Sequence, residues 1–477
     1  MLWTCLHLPD FSLQLALRGG SVSRPLVVTS AGHRPQVLSC NEQATQCGIR
    51  PGLSICAALA LTPRLIEHPR DTRAETQALE NLALWVGQFT PNISVHSPDA
   101  LLLEVEGCFR LFGGLRALNA RMQSGLKDLG FQATLAQAPT PTSARLFARA
   151  GIATTVFDRH ELKRALSPLP LSLLNQPAAS MDKLAHLGVR TIGECLKLPR
   201  DGLGRRFGQG LLDELDRALG KLPDPCHPFT RPLSYQGRLL LPAPAIEAEA
   251  LLFATKRLVL ELTGFLSRHA AGVTRLKLEM HHEDRSSTAL LLGLSVPSRE
   301  AAHILQLLRE RLNTATLPDR VESLSLKAEE MAPLASRNLT LLPGDQHQTE
   351  ERSMLLEHLR ARLGAEKVYG VTLFPDHRPE YAYRQSESGK ALDAFQHLKR
   401  PLWLLSPPKP MDCDGEKPLC DGPLTLTTRP ERIDSGWWDG RDIRRDYFVA
   451  RNARGETLWI FRDRGASCGW YVHGLFG

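Results

Sequence analysis

The order of apolar segments in the first 150 residues limits the folds open to this chain. Short apolar runs at residues 24–29 and 36–40 predict strands, whereas the apolar spacing at 75–90 predicts an amphipathic helix. Two further strands are predicted within residues 93–106, joined through Ser97-Pro98-Asp99. With a strand and helix predicted over residues 1–20, a helix at 115–130, a strand at 132–136 and a helix at 142–150, the segments have a mixed β-α-β-β-α-β order, which indicates an α+β fold.

The length of 477 residues exceeds what one compact core can hold, so several domains are expected. Changes in composition and pattern define the expected boundaries. They are an α+β region at 1–165, small helices at 166–232, a linker at 233–245, a second α+β unit at 246–332, a proline-rich connector at 333–410, and a Trp- and Arg-rich domain at 411–477.

The overall charge and cysteine pattern restrict the function only loosely. A net charge of +7 permits nucleic-acid binding without demanding it. The 10 cysteines form no C-x-x-C pair with matching partners, so no structural zinc, other metal or cofactor is expected. No leader pattern and no long apolar segment occurs, which predicts a cytoplasmic protein that does not enter a membrane.

A helix–turn–helix pattern lies in residues 184–196. Gly188 ends the first predicted helix, and Thr191 with Glu194 forms a capping box that starts the second. One interpretation is a helix-hairpin-helix, whose backbone N–H groups face a DNA phosphate. The alternative is an ordinary pair of helices without a ligand.

Four segments together resemble the Y family of DNA polymerases. They are the opening strand Trp3-Thr4-Cys5-Leu6-His7-Leu8-Pro9-Asp10-Phe11-Ser12, the block from Cys40-Asn41 to Arg50-Pro51, the strand Ser97-Pro98-Asp99-Ala100-Leu101-Leu102-Leu103-Glu104, and Leu203-Gly204-Arg205-Arg206-Phe207-Gly208. The resemblance implies a right-hand arrangement of palm and fingers (1–165), helical thumb (166–232) and little finger (246–332), followed by a C-terminal extension.

The residues that would hold catalytic metal ions in that family are mostly replaced. His7 and Pro9 stand at the two acidic places of the opening strand, and Ala100 replaces the glutamate that should follow Asp99. Nucleotide transfer needs two Mg²⁺ ions held by several carboxylates, because Mg²⁺ demands hard oxygen ligands. The resemblance therefore predicts a polymerase fold without polymerase activity.

The positions for the incoming nucleotide also depart from the family. Glu42 and Thr45 stand where the family has a Tyr and an Arg that hold the triphosphate, and Gln46 replaces a Lys. Ser12 replaces the aromatic that screens the sugar. An active polymerase with a relocated metal site, using Glu104 or Glu106, is the rival hypothesis. A third hypothesis is a DNA-binding module that does not bind the sliding clamp.

The resemblance also implies residues that contact DNA phosphates. They are Arg145 and Arg149 on the helix after Ala136, and Gly188, Arg190, Thr191, Arg205 and Arg206 in the thumb. Such contacts would be independent of base sequence and sensitive to salt. A solvated helix face is the alternative for the first pair.

A sliding-clamp peptide is implied after the little finger. The candidate is Asn338-Leu339-Thr340-Leu341-Leu342, bounded by Pro333 and Pro343, with residues 400–405 as a second candidate. Leucines spaced in this way supply apolar anchors for a groove. A short strand within a connector is the alternative reading.

Longer strings in the C-terminal third resemble the ImuB family, the Y-family homologues of bacterial mutasome cassettes. They include Asp376-His377-Arg378-Pro379-Glu380, Ser435-Gly436-Trp437-Trp438-Asp439-Gly440 and His473-Gly474-Leu475-Phe476. The resemblance implies an adaptor in DNA-damage-induced mutagenesis that binds primer–template DNA, the clamp, ImuA and an error-prone C-family polymerase. It would act in the cytoplasm at the nucleoid, and the aromatic residues of its tail are expected to form mainly a core.

Overall fold

The computed structural model describes residues 1–20, 22–230, 234–334, 345–386, 400–401, 403–415, 417–465 and 468–476. The chain divides into two compact units, Met1–Arg362 and Leu363–Gly477. No helix in the described ranges is long and apolar enough to span a membrane.

The first 150 residues supply most of the region that the sequence predicts to be palm and fingers, residues 1–165. The helices and strands follow one another as β1 (Trp3–His7), α1 (Phe11–Leu17), β2 (Leu26–Thr29), β3 (Val37–Cys40), α2 (Glu42–Gln46), α3 (Ile55–Leu61), β4 (Ile66–Pro69), α4 (Thr72–Val86), β5 (Ile93–His96), β6 (Ala100–Glu104), α5 (Phe109–Phe112), α6 (Leu115–Asp128), β7 (Thr134–Ala138) and α7 (Pro141–Arg149).

The palm sheet has the order β5-β6-β1-β7 with antiparallel neighbours. Alternation along its strands divides the side chains between two faces. Leu6, Leu101 and Leu135 pack on one face against α4 and α6. Cys5 and Ala100 lie on the other face, which is covered by α7 and the small helices that follow. The site discussed below lies on this second face.

The fingers are a separate three-stranded sheet, in the order β3-β2-β4, with its own apolar cluster. The small helices after residue 150 form the thumb. They are α8 (Arg159–Leu166), α9 (Ala178–His186), α10 (Ile192–Cys195), α11 (Arg200–Phe207) and α12 (Gln209–Ala218).

The next unit has the predicted little-finger pattern of strands and two packed helices. Its elements are β8 (Gln236–Ala245), α13 (Ala248–Arg268), β9 (Ala271–His282), β10 (Ser287–Ser298), α14 (Ala301–Thr314) and β11 (Val321–Pro333), followed by α15 (Asp345–Leu363). The sheet order is β10-β9-β11-β8.

Residues 236–245 are a strand of this sheet rather than the linker that the sequence suggested. β8 pairs with β11, because Leu239 and Leu241 alternate inward and are only 3% and 6% exposed. Pro242 and Pro244 come late in the strand, which lies at the sheet edge, where proline is tolerated.

Buried polar contacts join the palm to this unit. Arg18 at the end of α1 forms an ion pair with Glu261 of α13, and the Tyr235 hydroxyl donates to the same carboxylate. Trp85 of α4 lies against Gly264, where an added Cβ would be 2.2 Å from its ring. The two regions therefore share one packed interface.

The second unit is mostly β-sheet. Its strands are β12 (Gly370–Leu373), β13 (Tyr383–Ser386), β14 (Trp403–Pro410), β15 (Asp412–Asp414), β16 (Lys417–Leu419), β17 (Thr425–Leu426), β18 (Glu431–Ser435), β19 (Ile443–Arg451), β20 (Thr457–Asp463) and β21 (Trp470–Leu475). β14 pairs with β21, so this sheet begins before the expected boundary at residue 411.

Candidate functional site

The degenerate metal-ligand positions lie together on the thumb-facing side of the palm sheet. His7, at the end of β1, is directly opposite Ala100 of β6 on one side and Thr134 of β7 on the other. Its Nε2 is 3.5 Å from Oδ2 of Asp99. The structure therefore brings the three predicted positions into one cluster.

The cluster does not fit the two Mg²⁺ ions of a nucleotidyltransferase. Asp99 is its carboxylate, while His7 presents nitrogen and Ala100 presents no donor. In the described part of the chain, no group of three His, Cys, Asp or Glu residues is placed to hold a metal ion. Hard oxygen ligands in octahedral geometry are what Mg²⁺ requires.

Glu104 and Glu106, the carboxylates considered for a relocated metal site, have other partners. Glu104 lies opposite Trp3, at the far end of β1 from His7, and accepts from the backbone N–H of Glu106 at 3.2 Å. Glu106 is 2.5 Å from the N-terminal ammonium group. Neither residue is in position to supply a relocated metal site beside Asp99.

Several charges act on the floor of this cleft. Burial raises the pKa of the Cys5 thiol to about 12, and Asp99 adds to the rise. Arg145 and Arg149 oppose it, which indicates that both guanidinium groups lie within electrostatic range of the Cys5 side chain. The cleft therefore combines one carboxylate with nearby cations.

The two predicted DNA-binding arginines of α7 have partners within the protein. Arg145 NH2 is 3.4 Å from Oε1 of Glu214 in α12, and the same carboxylate accepts from the Asn175 N–H and the Gln176 amide. Arg149 donates to the Leu173 carbonyl at 3.0 Å. Both arginines thus tie the palm to the thumb, a role that their spacing in the sequence did not indicate.

The fingers carry no cation at the positions that hold the triphosphate in active enzymes. Glu42 and Gln46 are exposed on α2, where their side chains approach each other at 3.5 Å, and the Thr45 hydroxyl donates to the Asn41 carbonyl. An exposed Glu42 carboxylate repels a triphosphate.

The hairpin has the predicted start and end signals. Gly188 has a φ of 80°, and the Thr191–Glu194 capping box is formed. However, the Glu194 carboxylate accepts from the backbone N–H groups of Arg190 and Thr191 at 2.7 and 3.0 Å.

The other backbone N–H groups of the turn are also satisfied within the protein. Gly188, Val189, Ile192 and Gly193 donate to backbone carbonyls. In this structure the amides of the turn donate to acceptors within the protein, and the phosphate contact of Gly188 and Thr191 stays a prediction. A phosphate contact here would have to use the exposed side chain of Arg190.

Arg205 and Arg206 are two of the exposed residues among those predicted to bind DNA. Both are exposed in the last turn of α11, and neither forms an ion pair with any described residue. Their charges are therefore available to a ligand.

The first clamp-peptide candidate, residues 338–342, lies outside the described residues. Of the second candidate, Leu402 also lies outside them. Trp403 to Leu405 begin β14, in which Trp403 pairs with Leu475 and is 69% exposed. This segment is part of a sheet rather than a free peptide.

The aromatic residues of the tail divide into a core and a surface group. Tyr447 and Trp459 are buried and stacked at 4.2 Å between ring centroids, as expected for a core. Trp437 and Trp438, in contrast, are 79% and 59% exposed on the turn between β18 and β19. Gly436, at the start of this turn, has a φ of 92°.

Arg378 holds the tryptophan turn in place. Its guanidinium binds Asp376 and Asp439, each at 2.8 Å, and lies 5.5 Å from the Trp438 ring. An added Cβ at Gly436 would lie 2.6 Å from NH1 of Arg378. Residues 376–380 and 435–440, two ImuB-like segments that are distant in the sequence, therefore contact each other at the exposed tryptophan turn.

The chain is similar to a known protein family and to several solved structures. Residues 12–149 match the impB/mucB/samB family model. Among solved structures, DinB from Sulfolobus solfataricus is 20% identical, with a TM-score of 0.39 over 69% of this chain and 98% of that chain. A binary complex of Dbh DNA polymerase is 18% identical, with a TM-score of 0.39 over 70% of this chain and 100% of that chain.

The structure combines helices and sheets and ends in a β-rich C-terminal extension, as predicted, and the solved structures similar to it include Y-family DNA polymerases. Among curated proteins, the chain is 28% identical to Protein ImuB of Caulobacter vibrioides, over 90% of this chain and 100% of that protein. It is 26% identical to DNA polymerase IV of Moorella thermoacetica over 58% of this chain and 73% of that protein. The resemblance to ImuB that the sequence motifs indicated is confirmed.

Proposed function

We propose that this chain is a non-catalytic adaptor that binds primer–template DNA and the sliding clamp during DNA-damage-induced mutagenesis. It recruits an error-prone C-family polymerase, with ImuA as a further partner, and acts at the nucleoid. The observation that supports this proposal best is the palm cluster, in which His7 faces Ala100 and only Asp99 supplies a carboxylate. An active polymerase with a relocated metal site is the alternative, and the engaged positions of Glu104 and Glu106 disfavour it.

DNA binding is expected to depend on the exposed thumb arginines. Replacing Arg205 and Arg206 by Ala should weaken binding to all sequences alike. The dependence of log K on log salt should flatten by up to about two units, because each lost phosphate contact removes about 0.9. Fluorescence anisotropy at several salt concentrations measures this slope.

A matched control removes two exposed cations from α6, on the opposite face of the palm sheet. Arg116 and Lys127 are both exposed there. The Arg116→Ala/Lys127→Ala variant should keep the wild-type slope. Equal slopes for both double variants would exclude α11 from the DNA interface. Arg145 and Arg149 are less suitable targets, because their truncation also breaks palm–thumb contacts.

Clamp binding is assigned to Leu339, Leu341 and Leu342, whose apolar side chains would fill a groove on the clamp. Changing all three to Ala should abolish clamp pull-down and leave DNA affinity unchanged. The expected affinity is weak, in the micromolar range, or about −8 kcal/mol. If pull-down survives but fails in Leu402→Ala/Trp403→Ala, the clamp site is at the later segment instead.

We assign contact with a protein partner to the exposed pair Trp437 and Trp438. Tryptophan and arginine dominate the binding energy of many protein interfaces. Because Arg378 fixes the turn in advance, little conformational entropy is lost when a partner binds. The test of this surface is given in the Discussion.

A further inference from the structure

Glu214 of α12 is a nearly buried carboxylate that binds groups of both the palm and the thumb. Its side chain is 9% exposed. The Asn175 N–H donates to Oε1 at 2.9 Å and to Oε2 at 3.1 Å, and the Gln176 side-chain amide donates to Oε2 at 2.7 Å. The guanidinium group of Arg145 lies 3.4 Å from Oε1. The carboxylate therefore has short hydrogen bonds from the thumb that do not depend on Arg145.

Arg145 is the most distant of these partners. A separation of 3.4 Å is beyond the usual range of N–H···O hydrogen bonds, and the Arg145 side chain is 21% exposed. The guanidinium group also lies within electrostatic range of Cys5 and His96 in the palm. The ion pair between Arg18 and Glu261, in contrast, is almost fully buried and closed to any ligand. The contact between Arg145 and Glu214 is therefore one that another anion can replace.

We propose that Glu214 is a positioning residue, which holds Arg145 in the cleft until a DNA phosphate replaces it as the partner of the guanidinium group. Phosphate binds arginine through two parallel hydrogen bonds, which a single contact at 3.4 Å does not offer. After the exchange, Glu214 keeps the donors Asn175 and Gln176, so no buried charge is left without a partner. Glu214 thus competes with DNA for one cation. The inference rests on the proposed DNA-binding function.

A purely structural role and a competing role of Glu214 predict effects of opposite sign. If Glu214 only joined the palm to the thumb, Glu214→Gln would weaken DNA binding or leave it unchanged. As a competitor, the carboxylate would release Arg145 when it is made neutral. DNA affinity at low salt should then rise about threefold, which corresponds to the strength of a partly exposed ion pair. The glutamine oxygen still accepts a hydrogen bond from the thumb.

Fluorescence anisotropy with a labelled primer–template measures these affinities over a range of salt concentrations. Glu214→Gln should bind about threefold more tightly than the wild type at low salt. The control is Asp213→Asn, which removes one negative charge from the neighbouring position of α12. Asp213 accepts a hydrogen bond from Gln209 at 2.9 Å and forms no ion pair with any described residue. This control should change affinity by less than about 1.5-fold.

Arg145→Met gives a second result that does not depend on the folding of Glu214→Gln. It should flatten the slope of log K against log salt by about 0.9, because one phosphate contact is lost. Its melting temperature should stay within about 2 °C of the wild-type value, since Glu214 keeps its donors from the thumb. In this background Glu214→Gln should no longer raise affinity, because no cation remains to be released.

The inference is overturned if Glu214→Gln binds DNA no more tightly than the wild type, or if Asp213→Asn gains as much. Should Glu214→Gln fail to fold, an unchanged salt slope of Arg145→Met would overturn it. A wild-type protein that binds no DNA at low salt contradicts the proposed function itself. Binding that depends on Arg205 and Arg206 but not on Arg145 contradicts this inference alone.

Discussion

Glu261→Ala is expected to destabilise the N-terminal unit by about 3–5 kcal/mol. The carboxylate is 1% exposed and pairs with Arg18, which is 2% exposed, and removing it leaves a buried guanidinium without its counter-charge. The Tyr235 hydroxyl loses an acceptor in the same step. Urea unfolding followed by far-ultraviolet circular dichroism measures the change.

Two further variants test whether the loss of stability comes from the buried ion pair between Arg18 and Glu261. Glu249→Ala changes a 74% exposed glutamate of the same helix and should alter stability by less than about 0.5 kcal/mol. Replacing Arg18 and Glu261 together by Leu should be less damaging than Glu261→Ala, because no charge is then buried alone. A loss below about 1 kcal/mol for Glu261→Ala would show that this pair does not hold the palm and little finger together.

Replacing Trp437 and Trp438 by Ala is expected to abolish capture of the protein partner. Buried aromatic anchors at interfaces typically contribute more than tenfold each, so the double change should weaken binding by at least about 100-fold. Stability should be unaffected, since both side chains are mainly exposed. Pull-downs with purified ImuA and with the C-family polymerase identify which one is the partner.

Trp403→Ala is the matched control, because Trp403 is a 69% exposed tryptophan of the same unit. It should retain partner capture. Arg378→Ala should lose capture and also lower the melting temperature of the C-terminal unit, since Asp376 and Asp439 lose their shared cation. Undiminished capture by the double tryptophan variant would remove this turn from the interface.

The Arg378 network also predicts an acid dependence of stability. The hydrogen bond from Arg378 lowers the pKa of Asp376 in the folded protein below its value in the unfolded chain. The stabilisation is therefore present above the ordinary aspartate pKa, and it decreases as the pH falls below about 4. Arg378→Ala should lack this decrease in thermal unfolding between pH 5 and pH 3.

Much of the fold could be predicted because the spacing of apolar residues within each segment indicates its secondary structure. The palm strands and the helices α13 and α14 show clear alternation or helical spacing. Gly188 and the Thr191–Glu194 box gave the hairpin because such signals act within a few residues. The strand β8 was missed because its glycine and prolines favoured a linker, while its pairing partner β11 comes many residues later.

The site was harder to predict, since its contacts join residues that are distant in the sequence. The sequence around Arg145 does not indicate its ion pair with Glu214, and the sequence around Arg378 does not indicate its ion pair with Asp439. The capping box predicted that Glu194 binds the Thr191 N–H, but not that it also binds the Arg190 N–H, another amide that a phosphate would use. The residue types at the motif positions therefore indicated which metal-ligand carboxylates are replaced, but not which charged side chains lie near them in the fold.

Primer extension tests the central claim most directly. The purified protein would be given a primed template, all four deoxynucleoside triphosphates, and Mg²⁺ or Mn²⁺. No extension is predicted, because the palm provides only Asp99 where two metal ions need several carboxylates. Templated incorporation by the wild type that disappears in Asp99→Ala would contradict the account and identify this chain as an active polymerase.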